Sequence, residues 1–584
     1  MTAHEYYVDS VNGSSGNAGT SWGAAKATLA QIEALPVVAG DRVHCRGVFR
    51  ESLTVGVSGG NSYTTGTVSV TNGSKTVTGS GTSWSGNAFA DGQFSVAVLA
   101  SGTDGVANGT TTFTSAAGNF QAGHVGLVIR IGTKGAYVIT ARASATSITL
   151  SGSPSAGSGL TYNVGPTPPI EIASVDSNTQ ITLKYPWWFP SFAGLSYETW
   201  RDIQYVVDPG DEARVTGSDN DQTATRSNAV TANIKTYRTF RGFRIDRTSS
   251  DGFSVTGSSS GWIIEDCEFH DIGSAAVYLA SVNSKKWTFR RNFALTNNVV
   301  FSFPDTGNNT GLVLENNIVR NRGDACFYLA GTGGALVRNN TVQGATGIYD
   351  WGVNTGQATQ AIQNIFMLCV TALNGAASGN INEDYNAFVN NNTDRTNTAT
   401  GSNSVAHGPL LAAPFRAYGF MFPQPPRGSL SQWSTLAAKA SPFPPYDDFY
   451  GVPRPTTGSK CSWGAVQYPP VSRSTTQTHG GTYSLKLADA GRTQFFVPVT
   501  ATSTTISVYV YREADYAGTN PQMIIRELGV AERITTDAGS SAGWNQLTDT
   551  FTPAAAGVVA VEIVSDNTAI SGSYAVYVDD LAVT

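Results

Sequence analysis

The chain has 584 residues, only 13% of them charged, with a net charge of −6 and a pI near 5.6. No basic stripe appears, which argues against a nucleic-acid partner. No apolar run is long enough to span a bilayer, which argues against membrane insertion.

Residues 1–58 read as the cap and first coil of a stacked-strand rod. Met1 to Glu5 lacks the basic and apolar parts of a secretory signal, and the free thiols expected of the five cysteines fit folding in a reducing cytosol. Ala24 to Leu35 predicts a short helix with Leu29 and Ile32 on one face, ended by Pro36. Arg42–Cys45 and Ser52–Val55 alternate as strands.

Residues 59–200 have a different character. Short alternating strands such as Thr67–Val70 and Lys75–Thr78 replace the long period seen further on. A second repeat lies inside this stretch: Ile139 and Ile172, Thr146 and Thr179, and Leu150 and Leu183 are each 33 residues apart. One or two small β-barrel-like modules, inserted after the first coil, are expected. The aromatic run from Tyr185 to Pro190 ends the insertion, and its prolines suit a fixed element that packs the insertion onto the rod.

Residues 201–468 carry the main rod. Asp266, Arg291, Asn316, Asn339 and Gln363 occupy one recurring position, at steps of 25, 25, 23 and 24 residues. A period in the twenties indicates a solenoid, in which each coil buries its apolar face against its neighbours. Ile264, Phe289, Leu314, Val337 and Ala361 form one apolar column, and Phe269, Ala294, Val319, Val342 and Phe366 another. Both should point inward, because side chains alternate faces along a strand. Asn292, Asn317, Asn340 and Asn364 should stack at a tight turn, where Asn tolerates a left-handed backbone. Glu265, Arg290, Glu315 and Arg338 then face one another as a charge ladder. Residues 391–460 lose the repeat, and their prolines suit an extended path along the rod. Trp463 to Gln467 would add a final strand. Residues 469–584 read as an antiparallel sandwich, with strands such as Thr505–Val510 and Val558–Ile563. Trp544 is taken there as a core residue.

The period, the Asn column and the run Tyr385–Phe388 resemble the pectate-lyase-like right-handed parallel β-helix. Ser462–Val466 is similar to the closing strand of such domains, and Tyr6–Asp9 with Gly40–Val43 to their opening. The stretch Gly66–Gly79 resembles β-rich segments of phage tail proteins. Gly481–Leu485 and Val578–Leu581 resemble jelly-roll carbohydrate-binding modules. The expected fold is therefore all-β: a right-handed parallel β-helix, an inserted small β module and a C-terminal antiparallel β-sandwich.

The outward residues of the strand after the Asn turn are the candidate site. Aligning four coils places Tyr278, Ser302, Tyr328 and Asp350 side by side, with Asp324 near the start of the same strand. Aromatic and polar groups in a row suit a polysaccharide, which offers apolar sugar faces and many hydroxyls. A catalytic pair is not evident. Asp324 and Asp350 are offset by roughly 13 Å along the strand, beyond the roughly 6.5–9.5 Å of an inverting glycosidase. Asp251 and Asp324 are three coils apart, and the adjacent Glu383 and Asp384 should face opposite ways. His44 and His270 show no partner in the sequence. Cys45, Cys267, Cys326, Cys369 and Cys461 are odd in number and widely spaced. They read as free thiols, and neither a metal nor a cofactor is expected.

The resemblance implies a phage tailspike or related virion adhesin that binds, and in some relatives cleaves, a cell-surface polysaccharide. The rival expectations are a secreted polysaccharide lyase or hydrolase with a carbohydrate-binding module, and a purely structural virion protein. Other virion proteins would be partners, and tailspikes of this kind imply a homotrimer. Phe293, Ile318 and Ile365, with Thr341, add an apolar strip expected to face outward as a subunit interface.

Overall fold

The computed structural model describes residues 3–407 and 471–584, apart from short interior stretches. The longest of these are 281–285, 305–310, 330–334, 352–358, 514–519, 528–532 and 565–575. The chain divides into two units, Met1–Gln467 and Tyr468–Thr584.

The first unit is a parallel β-solenoid with an insertion. Each rung contributes three strands. One rung runs Ile263–Glu265, Glu268–Ile272 and Ala275–Ala280; the next runs Thr288–Arg290, Phe293–Thr296 and Val299–Phe303. Strands of the first two kinds form one 19-stranded sheet, and those of the third kind a nine-stranded sheet. These are called the first, second and third faces below. Register is one-to-one from rung to rung: Phe240, Ile264, Phe289, Leu314, Val337 and Ala361 stand opposite one another on the first face. All are buried in one continuous core, with Phe269, Ala294, Val319, Val342 and Phe366 from the second face. Both inward columns are as the sequence predicts. Trp262 and Trp287 stack at 5.3 Å, and their indole N–H groups donate to the carbonyls of Lys235 and Ser259.

The Asn ladder forms between the first and second faces. The amide of Asn317 donates to the Phe289 carbonyl (2.9 Å) and to Asn340 Oδ1 (2.9 Å), while its own Oδ1 accepts the backbone N–H of Asn292 (3.0 Å). The pattern continues through Asn364 and Asn386 and ends on the Ser404 hydroxyl. One correction concerns the backbone. The left-handed residues are Asp266, Arg291, Asn316, Asn339 and Gln363, each one position before the ladder residue. The ladder asparagines are therefore selected for their hydrogen bonds, not for their φ.

The predicted charge ladder also forms and is longer than expected. Arg241 bonds Glu265 (2.6 Å), Arg290 bonds Glu265 (2.5 Å) and Arg338 bonds Glu315 (2.6 Å). Burial alone would raise the Glu265 carboxyl, but Arg241, Arg290 and Arg291 outweigh it and hold it well below the usual carboxylate range.

The insertion supplies the end of this ladder, because Glu171 bonds Arg241 at 2.9 Å. Asp91 carboxylate pairs with Arg42, Asp91 carbonyl accepts from Gln204, and Glu198 pairs with Lys286, so the insertion lies against the outer side of the first face. It holds two closed rings of strands. The inner ring comprises Ala100–Ala107, Thr112–Thr114, Val128–Ile131, Gly135–Ser144, Ser147–Leu150 and Gly157–Val164. The outer ring comprises Thr67–Val70, Thr76–Ser80, Gln93–Val98, Ile170–Ser177, Gln180–Leu183 and Phe192–Arg201, with Gly60–Tyr63 added at its edge. Their strand orders correspond, so one six-stranded barrel is nested between the third and fourth strands of the other. The 33-residue repeat marks the copy. Bulges between Ile139 and Ala141 and between Arg142 and Ser144 recur between Ile172 and Ser174 and between Val175 and Ser177. Trp187 does not pack the insertion onto the rod. It is buried in the insertion's own core, edge-on to Phe94. Trp188, Phe189 and Pro190 lie outside the described residues.

Other expectations are revised. The helix is shorter than predicted, Leu29–Glu33, with Thr28 and Gln31 forming a capping box and Leu29 and Ile32 buried. The stack continues into residues expected to lose the repeat. Thr393–Thr396 and Val405–His407 extend the third and second faces by a further rung. The expected path of residues 391–460 beyond His407, the strand Trp463–Gln467 and Cys461 lie outside the described residues. Cys45, Cys267, Cys326 and Cys369 are free and buried. The apolar strip is not an exposed face: Ile318 is 1% and Ile365 3% exposed within a single chain.

The second unit pairs a five-stranded with a four-stranded antiparallel sheet. Val508, Val510 and Val578 from one sheet share a core with Val497, Ile525 and Val561 from the other.

Candidate functional site

The third face carries the sequence-predicted site. Its strands stack in register, so a single outward column runs Thr54, Thr231, Ser254, Tyr278, Ser302, Tyr328, Tyr349, Asn374 and Thr396. Every member carries a neutral hydroxyl or amide. The residues on either side within each strand point inward, as shown by the burial of Val277, Leu279, Phe327 and Leu329.

Three of the predicted residues, Tyr278, Ser302 and Tyr328, are brought together in this column. Tyr278 and Tyr328 are half-buried, and Ser302 between them is 8% exposed. Asp324 is exposed in the bend before the Tyr328 strand. Burial, then the Tyr349 and Asp324 charges, raise the Tyr328 hydroxyl above its ordinary value.

Asp350 is the correction. It stands opposite Leu329 rather than Tyr328, is 3% exposed, and accepts the Thr359 hydroxyl at 2.6 Å. The neighbour of Tyr328 is Tyr349. A one-residue slip exchanges the two faces of a strand, and that slip put Asp350 outside.

The slip hid the strongest feature of the face. Tyr328 and Tyr349 have ring centroids 5.4 Å apart. Trp351 follows two positions after Tyr349, meets Tyr328 edge-on at 6.3 Å and is 54% exposed. Three aromatic rings on adjacent rungs thus form a platform, flanked by Tyr278 and by the Asn374 amide. The signal available in the sequence was the run Tyr349-Asp350-Trp351, in which the two aromatic residues share a face.

The other candidates are structural. Asp251 is buried and accepts the Ala275 N–H (3.2 Å), with burial raising its carboxyl. Glu383 is buried inside the rod and bonded by Arg395, Asn386 and Ser404, while Asp384 lies on the opposite face of that strand. Both histidines have carboxylate partners that the sequence did not reveal: His44 lies between Glu5 and Asp208, and His270 beside Glu268.

A second aromatic row lies on the five-stranded sheet of the second unit, on the side away from the shared core; Tyr577 in it is fully buried, while Tyr511 and Trp544 are half-buried. Lys486, Tyr577, Tyr511 and Trp544 stand directly opposite one another across four strands. Tyr511 is 5.6 Å from Trp544 and 6.1 Å from Tyr577. His479 stacks on Tyr509 at 3.6 Å and its Nδ1 donates to Asp580 Oδ2 at 2.7 Å. Trp544 is therefore not a core residue.

No family model and no curated protein matches this chain. The solved structures to which part of this chain is similar include carbohydrate-binding modules. A family 16 carbohydrate-binding module is 16% identical, over 20% of this chain and 86% of its own, with a TM-score of 0.17. The C-terminal family 22 module of Clostridium thermocellum Xyn10B is 15% identical, over 19% of this chain and 79% of its own, with a TM-score of 0.17. A xylan-binding domain of family 22 is 16% identical, over 19% and 80%, again with a TM-score of 0.17.

Proposed function

We propose that this protein binds a polysaccharide on the third face of its solenoid, as a virion adhesin of the tailspike kind that engages a cell-surface glycan. The observation that carries the binding reading is the Tyr328–Tyr349–Trp351 platform in line with Tyr278. Aromatic faces stack on the apolar faces of sugar rings, and hydroxyls and amides beside them match sugar hydroxyls. The reading is one of binding rather than cleavage, because Asp251 and Asp350 are buried and already bonded.

The virion role draws on the combination of a β-solenoid, nested barrels and a separate sandwich. A second glycan surface is favoured by the half-buried pair Tyr511 and Trp544, 5.6 Å apart. The trimer remains part of the proposal by analogy alone, since the strip offered as its interface is buried within one chain. Affinity electrophoresis in gels containing bacterial surface polysaccharides tests the binding reading. Retardation that disappears in Trp351→Ala supports it, and unchanged mobility in every gel defeats it. Light scattering tests the assembly: a mass near the 61.3 kDa of one chain rules out the trimer.

A further inference from the structure

The three faces of the solenoid differ in charge. The first face carries the Arg241–Glu265–Arg290 ladder. The second carries Arg214, Arg244 and Glu268 in one outward column, which continues as Phe293 and Ile318, with the exposed Arg320 in the column beside them. The third is different. Among the described residues, its central column from Thr54 to Thr396 holds only hydroxyl and amide groups over nine rungs. Among the described residues, the outward column two positions after it holds Asn233, Thr256, Ala280, Pro304, Trp351 and Ala376, with no lysine or arginine. Among the described residues, the exposed charge beside the platform is the Asp324 carboxylate, close enough to influence the Tyr328 hydroxyl.

An anionic glycan bound at such a face would surrender the hydration of its carboxylates, sulfates or phosphates with no cation to replace it. Burying an unpaired charge is costly, and Asp324 would add repulsion. A neutral glycan meets no such penalty. The column also repeats once per rung, at about 4.8 Å, so its hydrogen-bonding groups run lengthwise along the rod. A ligand that uses several of them must be extended in that direction.

Building on the polysaccharide-binding reading, we infer that the third face selects a neutral polysaccharide, laid lengthwise across the rungs from Tyr278 to Asn374, and rejects polymers bearing carboxylate, sulfate or phosphate groups. Aromatic stacking on Tyr349 and Trp351 holds the chain. Ser302 and Asn374 bond its hydroxyls.

The test uses the full chain in affinity electrophoresis and in titration against two sets of polymers. Dextran, galactomannan and a mixed-linkage β-glucan are neutral; polygalacturonate, alginate and heparin are anionic. Wild type is compared with Tyr349→Ala and Trp351→Ala, each checked for an unchanged melting temperature. The expected result is binding to at least one neutral polymer that persists as salt is raised and weakens roughly tenfold, about 1.4 kcal/mol, in either variant. Binding of an anionic polymer that is lost in the same variants overturns the charge selectivity but leaves the face as a glycan site. Binding to no polymer, or binding that neither variant changes, overturns both.

Discussion

Tyr349 stands directly opposite Tyr328 on the next rung, ring centroids 5.4 Å apart, while its neighbour Asp350 turns inward to take the Thr359 hydroxyl. One residue thus separates the surface on which a sugar can stack from the packed interior of the rod. Mutations at the two positions should behave in opposite ways.

Tyr349→Ala is expected to weaken polysaccharide binding roughly tenfold, about 1.4 kcal/mol, with little change in melting temperature. Asp350→Ala should do the reverse. It leaves the buried Thr359 hydroxyl without its acceptor, at about 1–3 kcal/mol, and should lower the melting temperature without altering binding directly. Parallel melts and titrations of the two variants check this. Equal effects on binding would mean that the register of this strand is wrong.

Asn317→Ala is expected to destabilise the rod. The amide serves the Phe289 carbonyl and Asn340, and its oxygen serves Asn292, all of them buried. Each polar group left unpaired costs about 1–3 kcal/mol, so a loss of about 3 kcal/mol or more is expected. Thermal melting reads the total, and hydrogen exchange should show lost protection at the Asn292 N–H first, because its acceptor is the Asn317 side-chain oxygen.

Asp202 should make stability fall as pH rises. It is buried at the joint between the insertion and the first face, where burial, and then Glu171 and Glu265, push its carboxyl up to about 7 against the bond from Thr239. The unfolded chain releases this proton near pH 4. Between pH 4 and 7 the folded protein holds a proton that the unfolded chain has lost, so stability declines across that window and levels off above it. Asp202→Asn should abolish this slope and raise stability at pH 8 by a few kcal/mol, on the order of 1.4 kcal/mol per pKa unit. Melting temperatures between pH 5 and 8 compare the two proteins.

His124 should act in the opposite sense. Burial, and then the Arg142 charge, lower its imidazole to about 4, and it stacks on Phe192 at 5.1 Å. An unfolded histidine takes up its proton near pH 6.5. Stability is therefore lost as pH falls from 6.5 through 4, where the unfolded chain binds the extra proton. In His124→Phe the decline over this interval should be shallower. An unchanged acid limb in urea-melt series at pH 4 to 7 would show that His124 does not contribute.

The solenoid is legible in the chain alone, because repetition writes the same physical demand at every rung. Ile264, Phe289, Leu314 and Val337 are apolar because each packs under the next, and Asn292, Asn317, Asn340 and Asn364 recur because each amide satisfies the backbone of its neighbour. The 33-residue repeat of the insertion was legible for the same reason. What only the tertiary structure decided was register on the third face and exposure everywhere. The Asn ladder advances by 25, 23 and 24 residues, but the column from Tyr278 through Ser302, Tyr328 and Tyr349 to Asn374 advances by 24, 26, 21 and 25. Loops between the faces absorb the difference, so a pattern fixed at one corner does not carry to the next, and Asp350 was mistaken for Tyr349. Exposure depends on what lies outside a strand. Phe293, Ile318 and Ile365 point outward as the alternation requires, yet Ile318 and Ile365 are buried. Arg241 depends on a partner distant in sequence, Glu171, which lies 70 residues away in the insertion.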